Sequence, residues 1–266
     1  MEAKDAAMVS TDFTPGSPNW IDLGSPDIPA STAFYGGLLG WEFVSAGPEA
    51  GGYGFFRLGG KTVGAIGPLS EEGAVPAWTI YFHTPDADAT TKVVEQAGGT
   101  VRVPPMDVFD AGRLAQFTDP TGGDFAVWQP GTTEGLEVVG SPGAFIWSEL
   151  HTGDVPRALA FYRAVFAWRS EDSGLPGIEY TIVSTAEGDD PQAAGVGGIA
   201  PPHEKLRTGW LPYFTVEDTD AAAALTHALG GTVLLPPGDV PQVGRIAVFA
   251  DPSGAEFAVI KPEPPQ

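Results

Sequence analysis

Residues 98–130 and 230–262 are two versions of one segment. GGTVRVPPMDVFDAGRLAQFTDPTGGDFAVWQP and GGTVLLPPGDVPQVGRIAVFADPSGAEFAVIKP agree at 19 of 33 positions, at an offset of 132. Upstream, WIDLGSPDIPASTAFYGGLLGW (Trp20–Trp41) matches WSELHTGDVPRALAFYRAVFAW (Trp147–Trp168) at an offset of 127. The five extra residues fit a polar insertion near AEGDDPQ in the second copy. Whatever this chain folds into, it does so twice. The break falls in GTTEGLEVVGSPG, which divides the chain into residues 14–130, a linker over 131–143, and residues 144–262.

Each half divides again. WIDLGS alternates as a strand does. DIPASTAFYGGLLG then opens with Asp27 as a helix cap and Pro29 in the first turn, and Ala33, Phe34 and Leu38 fall at helical spacing. WEFVS, YGFFRLGG and KTVGAIGP read as short strands joined by glycine-rich turns. The plan restarts with strand WTIYFHT, helix DADATTKVVEQAGG, and strands TVRVPP, GRLAQFTD and DFAVWQP. The chain is therefore expected to be α+β, with four strand–helix–three-strand units.

Bulk properties limit the functions. The 266 residues include no cysteine, which excludes disulfides, thiolate metal sites and a cysteine nucleophile. Thirty-four acids against 13 bases give a net charge of −21, a field that repels nucleic acid and anionic lipid. No apolar run reaches the roughly 18 residues of a membrane helix, and MEAKDAAMVS lacks a signal-peptide pattern. A cytoplasmic protein, monomeric or homodimeric, is expected.

The order of elements, the helix signature D-[IV]-P-x-x-x-AFY and the DP-[TS]-G turn before a last strand resemble the vicinal oxygen chelate superfamily, which includes glyoxalase I, extradiol dioxygenases and bleomycin-resistance proteins. The likeness covers roughly residues 14 to 262. TPGSPNW, DAGRLAQFTDPTG and the tandem length are similar to a two-domain actinobacterial subgroup, comprising mycobacterial antigen-like proteins and glyoxalase-like proteins of anthracycline gene clusters, sometimes labelled hydroxylases. The resemblance implies two glyoxalase-like domains, each an open cup of curved mixed sheet made from two units.

It also implies where a metal would sit, and what stands there instead. The family's ligands are His, Gln or Glu on the first and last strands of its units. Counting along H-x-x-L-x-V-x-D places Trp20, Thr79, Trp147 and Leu211 at the first-strand positions. The last-strand glutamate falls on Ala126 and Ala258. These six residues do not make a divalent-metal site, so no metal and no other cofactor is expected. The family's metal-dependent reactions do not transfer with the fold.

Residues two apart on a strand share a face. The first cup is thus expected to gather Trp20, Asp22, Thr79, Tyr81, His83, Asp124, Ala126 and Trp128, with Gln116 turned inward and Ala115 and Phe117 under a helix. The second gathers Trp147, Glu149, His151, Leu211, Tyr213, Glu256 and Ala258. Such a lining suits a flat aromatic small molecule, and a cationic group on it could pair with Asp22 or Glu149. Plainer readings stand beside this one. Trp20 and Trp147 could fill the cups, and His83 and His151 could be solvated. Asp119 and Asp251 are expected to hold turns, Asp27, Asp86, Asp154 and Asp218 to cap helices, and Arg113 and Arg245 to form ion pairs. Three functions follow. The preferred one is metal-independent binding of an aromatic natural product, for sequestration, resistance or support of a tailoring hydroxylation. The second is glyoxalase-type detoxification of aldehydes such as methylglyoxal, with a set such as His83 and Asp22. The third is a non-catalytic scaffold with filled cups.

Overall fold

A computed structural model describes residues 9–69, 73–175, 177–185 and 195–263; the AEGDDPQ insertion lies outside them. The first half runs β1 (Pro18–Ser25), α1 (Ile28–Leu39), β2 (Glu42–Ser45), β3 (Gly54–Leu58) and β4 (Lys61–Pro68). It continues with β5 (Ala77–His83), α2 (Ala87–Gln96), β6 (Thr100–Val108), β7 (Gly112–Thr118) and β8 (Asp124–Pro130). The second half repeats this as β9 (Phe145–His151), α3 (Val155–Phe166), β10 (Arg169–Asp172), β11 (Thr181–Ser184) and β12 (Gly195–Ala200). Its second unit is β13 (Gly209–Thr215), α4 (Thr219–Ala228), β14 (Thr232–Val240), β15 (Gly244–Ala250) and β16 (Glu256–Pro262). The four-unit α+β plan expected from the repeats is the plan of the fold.

All four helices start alike because their first-turn amides need an acceptor. Asp27, Asp86, Asp154 and Asp218 each accept the N–H three residues on, at 2.9–3.1 Å. Each half forms its own eight-stranded sheet, in the orders β2-β3-β4-β1-β5-β8-β7-β6 and β10-β11-β12-β9-β13-β16-β15-β14. The strands of a cup therefore come from one half, not from an exchange between halves. β1 pairs antiparallel with β5 at the centre, while β4 and β8 flank that pair in parallel. One residue before Trp20, and again before Trp147, an extra residue (Asn19, Ile146) bulges from the central ladder. A bulge there re-aims the strand as it enters the cup.

Alternation divides each sheet between helices and cup. On β5, Trp78, Ile80 and Phe82 point to the helical side, and Trp78 Nε1 donates to the Tyr35 hydroxyl of α1 at 3.0 Å. The two halves meet through these faces. Tyr35 packs on Trp41 and on Phe257 of the other half, and Tyr162 packs on Trp168 and on Phe125 of the other half. Each ring so buried contributes about 2–3 kcal/mol. Trp41 Nε1 reaches the Gly143 carbonyl at 2.6 Å, and Trp168 Nε1 reaches that of Gly16 at 3.0 Å, so each indole also ties its half to the segment leading into the other. No described helix is long and apolar enough to cross a membrane.

Candidate functional site

The cup of the first half is organised around one carboxylate. Asp22 lies mid-strand on β1, opposite Thr79 of β5 and Ala65 of β4. Its Oδ2 accepts from the Tyr81 hydroxyl at 2.9 Å and the Tyr53 hydroxyl at 3.2 Å. Tyr53 in turn accepts from Trp20 Nε1 at 3.2 Å, and Tyr81 from Gln116 Nε2 at 3.3 Å. Every donor in the chain points towards Asp22. Burial pushes Asp22 up from 3.8 to about 6, against the lowering effect of the two tyrosines. Burial likewise drives Tyr53 and Tyr81 well above their usual range, so both remain O–H donors.

The second cup repeats the constellation with changes. Trp147 Nε1 donates to the Tyr180 hydroxyl at 2.7 Å. Tyr180 and Tyr213 both turn their hydroxyls onto Glu149, the residue standing where Asp22 stands. His151 adds a member: its Nε2 lies 2.7 Å from Glu149 Oε1, and its Nδ1 faces the Pro201 carbonyl at 3.4 Å. Burial alone would lower His151, but the hydrogen bond and charge of Glu149 raise it above 6.5. The matching position in the first half is Gly24.

The expected site residues thus fall into three groups. Trp20, Asp22, Tyr81 and Gln116 meet in one network, as Trp147, Glu149, His151 and Tyr213 do in the other cup. Trp128 and His83 sit at the far end of the first cup, against the linker. There Trp128 Nε1 donates to the Thr133 carbonyl at 2.8 Å, and His83 Nδ1 is buried without a partner. Burial lowers His83, offset in part by Glu134. Among the described residues no hydrogen bond joins His83 to Asp22, so that pair does not assemble. Tyr53 and Tyr180 were not among the expected residues. Tyr53 opens the YGFFRLGG segment read as a strand, to which no cup face was assigned, and Tyr180 lies just before β11, but the offset of 127 that aligns Trp20 with Trp147 also aligns the two tyrosines.

The positions corresponding to family metal ligands cluster as the resemblance implies. Trp20 pairs with Tyr81, which pairs with Ala126, and Trp147 pairs with Tyr213, which pairs with Ala258. An indole, a threonine hydroxyl and a methyl in one cup, and an indole, a leucine and a methyl in the other, do not fit a divalent cation. No group of three or more His, Cys, Asp or Glu residues suited to a metal occurs among the described residues.

Two further repeated sets of polar groups hold the structure. Arg113 forks onto Asp88 and Asp107, and Arg245 onto Asp220 and Asp239, tying helix to hairpin in each half. Asp119 and Asp251 hold their turns by accepting backbone N–H groups.

The chain matches the family described as the glyoxalase/bleomycin resistance protein/dioxygenase superfamily over residues 17–127 and again over 145–259. It is 44% identical over 270 residues to the anthracycline biosynthesis protein DnrV of Streptomyces peucetius, covering 94% of this chain and 95% of that one. It is 38% identical over 263 residues to the putative glyoxylase CFP32 of Mycobacterium bovis, covering 96% and 98%. In three dimensions it resembles the Mn(II)-bound glyoxalase of Novosphingobium aromaticivorans, with a TM-score of 0.63, 17% identity, and coverage of 95% and 86%. It also resembles the 2,3-dioxygenase LapB of Pseudomonas sp. KL28, with a TM-score of 0.62, 14% identity, and coverage of 93% of each chain. With both halves matched and two cupped sheets of the same strand order, the chain belongs to the glyoxalase/bleomycin resistance protein/dioxygenase superfamily.

Proposed function

We propose that this protein is a metal-independent member of its superfamily that binds an aromatic small molecule in a cup, in the service of secondary metabolism. The observation that carries this reading is the duplicated Trp–Tyr–carboxylate–Tyr constellation, whose tryptophan stands at a metal-ligand position and whose carboxylate and strand tyrosine pair with the others. A cup merely filled for packing would favour apolar side chains, because each buried polar group needs a partner. Here both halves keep four polar side chains and bond them to one another. Flat indole and phenol faces with one converging carboxylate are what recognition of an aromatic ligand requires. The relatives named for anthracycline biosynthesis support a secondary-metabolic setting. Titration of the purified protein with an anthracycline, read by quenching of tryptophan fluorescence, tests the reading. Saturable quenching is expected, in protein that carries no stoichiometric divalent metal by elemental analysis. A tightly held equivalent of metal, or no quenching by any flat aromatic compound, defeats it.

A second reading is favoured by one observation, the 2.7 Å contact between His151 and Glu149. Such a pair can move protons, and the relative called a putative glyoxylase would be consistent with aldehyde chemistry. Consumption of methylglyoxal with a thiol co-substrate, lost in His151→Gln, would establish it.

A further inference from the structure

Outside the cups, the duplication exposes a difference between the halves. Where α3 ends against β10, the edge strand of its sheet, the surface folds into a cavity of about 570 Å³. That is ample for a small molecule. None of the residues in either cup network lines it.

Three lining residues depart from their partners at the offset of 127, and each departure acts on the cavity. Phe43 of β2 becomes Ser170 of β10. The Phe43 ring lies so close over Gly54 that a Cβ on that glycine would run into it. The ring therefore fills, in the first half, ground that Ser170 leaves open. Gly40, the left-handed residue after α1 at φ 73°, becomes Ala167 at φ 56°. Alanine is strained there where glycine is not, and strain kept at a cavity wall points to use. Gly36 of α1 becomes Arg163, in the last turn of α3, whose Nη2 donates to the Ser170 hydroxyl at 3.4 Å. Arg102, Arg113, Arg207 and Arg245 each pair with a carboxylate. Arg163 pairs with none among the described residues, in a chain with 34 acids.

A guanidinium whose charge is not matched, beside a hydroxyl that can donate onward, is a donor set suited to a carboxylate. Arg169 adds a second guanidinium to the lining, fixed by Nε and Nη2 on the Thr185 carbonyl at 3.3 and 3.1 Å. Glu171 also lines the cavity, and the carbonyl end of α3 faces it, so both oppose negative charge. Their opposition favours one negative charge over two. Ala167 and Trp168 supply the apolar part of the lining.

We infer that this cavity is a binding site for a small aromatic monocarboxylate, held by Arg163 and Ser170 and independent of the cups. The carboxylate takes the Arg163 guanidinium and the Ser170 O–H, and the ring lies on Ala167 and Trp168.

Titration of the full chain with benzoate tests this, followed by the Arg163 Nε–H and the Ala167 and Ser170 amide resonances. Raised salt screens the net charge of −21. Saturable shifts are expected at those three groups. Arg163→Gln, and Ser170→Phe, which restores the first half's residue, should each weaken binding by about tenfold. Arg157→Gln, on the first turn of the same helix and outside the cavity, should change it by less than about twofold. Thermal melts establish that the variants fold. Benzylamine should not compete, and inorganic phosphate should bind more weakly than benzoate. The inference is overturned by the absence of saturable shifts, by an equal loss in Arg157→Gln, by competition from benzylamine, or by tighter binding of phosphate. Shifts confined to the Trp20 or Trp147 indole would place benzoate in a cup, which overturns this inference and supports the aromatic-ligand reading.

Discussion

Tyr162 of the second half donates its hydroxyl to Asp119 Oδ2 of the first at 2.8 Å, and Tyr35 of the first half donates to Asp251 Oδ2 of the second at 3.3 Å. The aspartate of each DP-[TS]-G turn therefore does two jobs, one oxygen holding its own turn and the other locking the opposite half. The tyrosines receive Trp210 Nε1 at 2.8 Å and Trp78 Nε1 at 3.0 Å, which leaves each phenolic hydrogen directed at the carboxylate. Tyr162→Phe would leave a buried indole donor and a buried carboxylate oxygen unpaired, at a cost of about 1–3 kcal/mol. Tyr35→Phe should cost less, since its bond is longer. Urea unfolding followed by fluorescence and circular dichroism should show one shared transition in the wild type. Two resolved transitions there would show that the lock does not couple the halves.

Asp22 makes stability depend on pH in a definite direction. Its pKa is raised on folding, from 3.8 to about 6. The folded state therefore holds that proton more tightly than the unfolded chain, so the contribution is fully present below about 3.8 and lost as pH climbs to about 6. Asp22→Asn keeps an acceptor for Tyr53 and Tyr81 without the charge. Above pH 6 it should stabilise the protein by about 1–2 kcal/mol, less than the roughly 3 kcal/mol of a fully buried group because the carboxylate is partly solvated. Below about pH 4 the variant and the wild type should melt alike. A constant difference across that range would place the effect outside Asp22 ionisation.

The second cup should respond to pH in a different window. His151 is raised above 6.5 by Glu149, so its contribution is full below 6.5 and fades as pH passes its folded value. His151→Gln should therefore cost more stability at pH 6 than at pH 9. In wild-type protein the His151 ring proton resonances should titrate above the usual histidine value, and Glu149→Gln should move that midpoint down. A midpoint that does not shift would mean that the 2.7 Å contact carries no charge interaction.

Much of this was legible in the residues, for reasons that mark where legibility stops. The duplicated motifs supplied the four units, since repetition is independent of local propensity. Strand alternation put Asp22 beside Trp20 and Tyr81, and put Gln116 inward, because regular strands have two faces. It gave no face to Tyr53, at the very start of YGFFRLGG and outside β3, or to Tyr180, which precedes β11. It also could not separate the cups energetically, since that depends on where the linker lies and on whether a histidine reaches a carboxylate. Glu149 and His151 are two apart on one strand and touch. Asp22 and His83 are on different strands and do not bond, and no spacing rule distinguishes those cases. The second task of Asp119 and Asp251 was hidden likewise, because the partner tyrosines lie 43 and 216 residues away.

Gly198 offers a local test of the second cup's geometry. It stands across from Glu149 on β12, and a Cβ there would run into the hydroxyl and ring of Tyr180. The residue opposite Asp22 in the first cup is Ala65, which is tolerated because Tyr53 lies over Gly67 instead. The glycine thus lets Tyr180 lie flat against the strand and reach both Trp147 and Glu149. Gly198→Ala should push that ring aside and cost about 1–3 kcal/mol, the usual penalty for overpacking. Breaking the 2.7 Å Trp147–Tyr180 bond should also change the environment of the Trp147 indole. The expected signature is a shifted emission maximum together with weaker aromatic-ligand quenching, neither of which Gly198→Ala should produce in a Trp147→Phe background. If the spectral shift persists in that background, the change lies elsewhere and Tyr180 does not position Trp147.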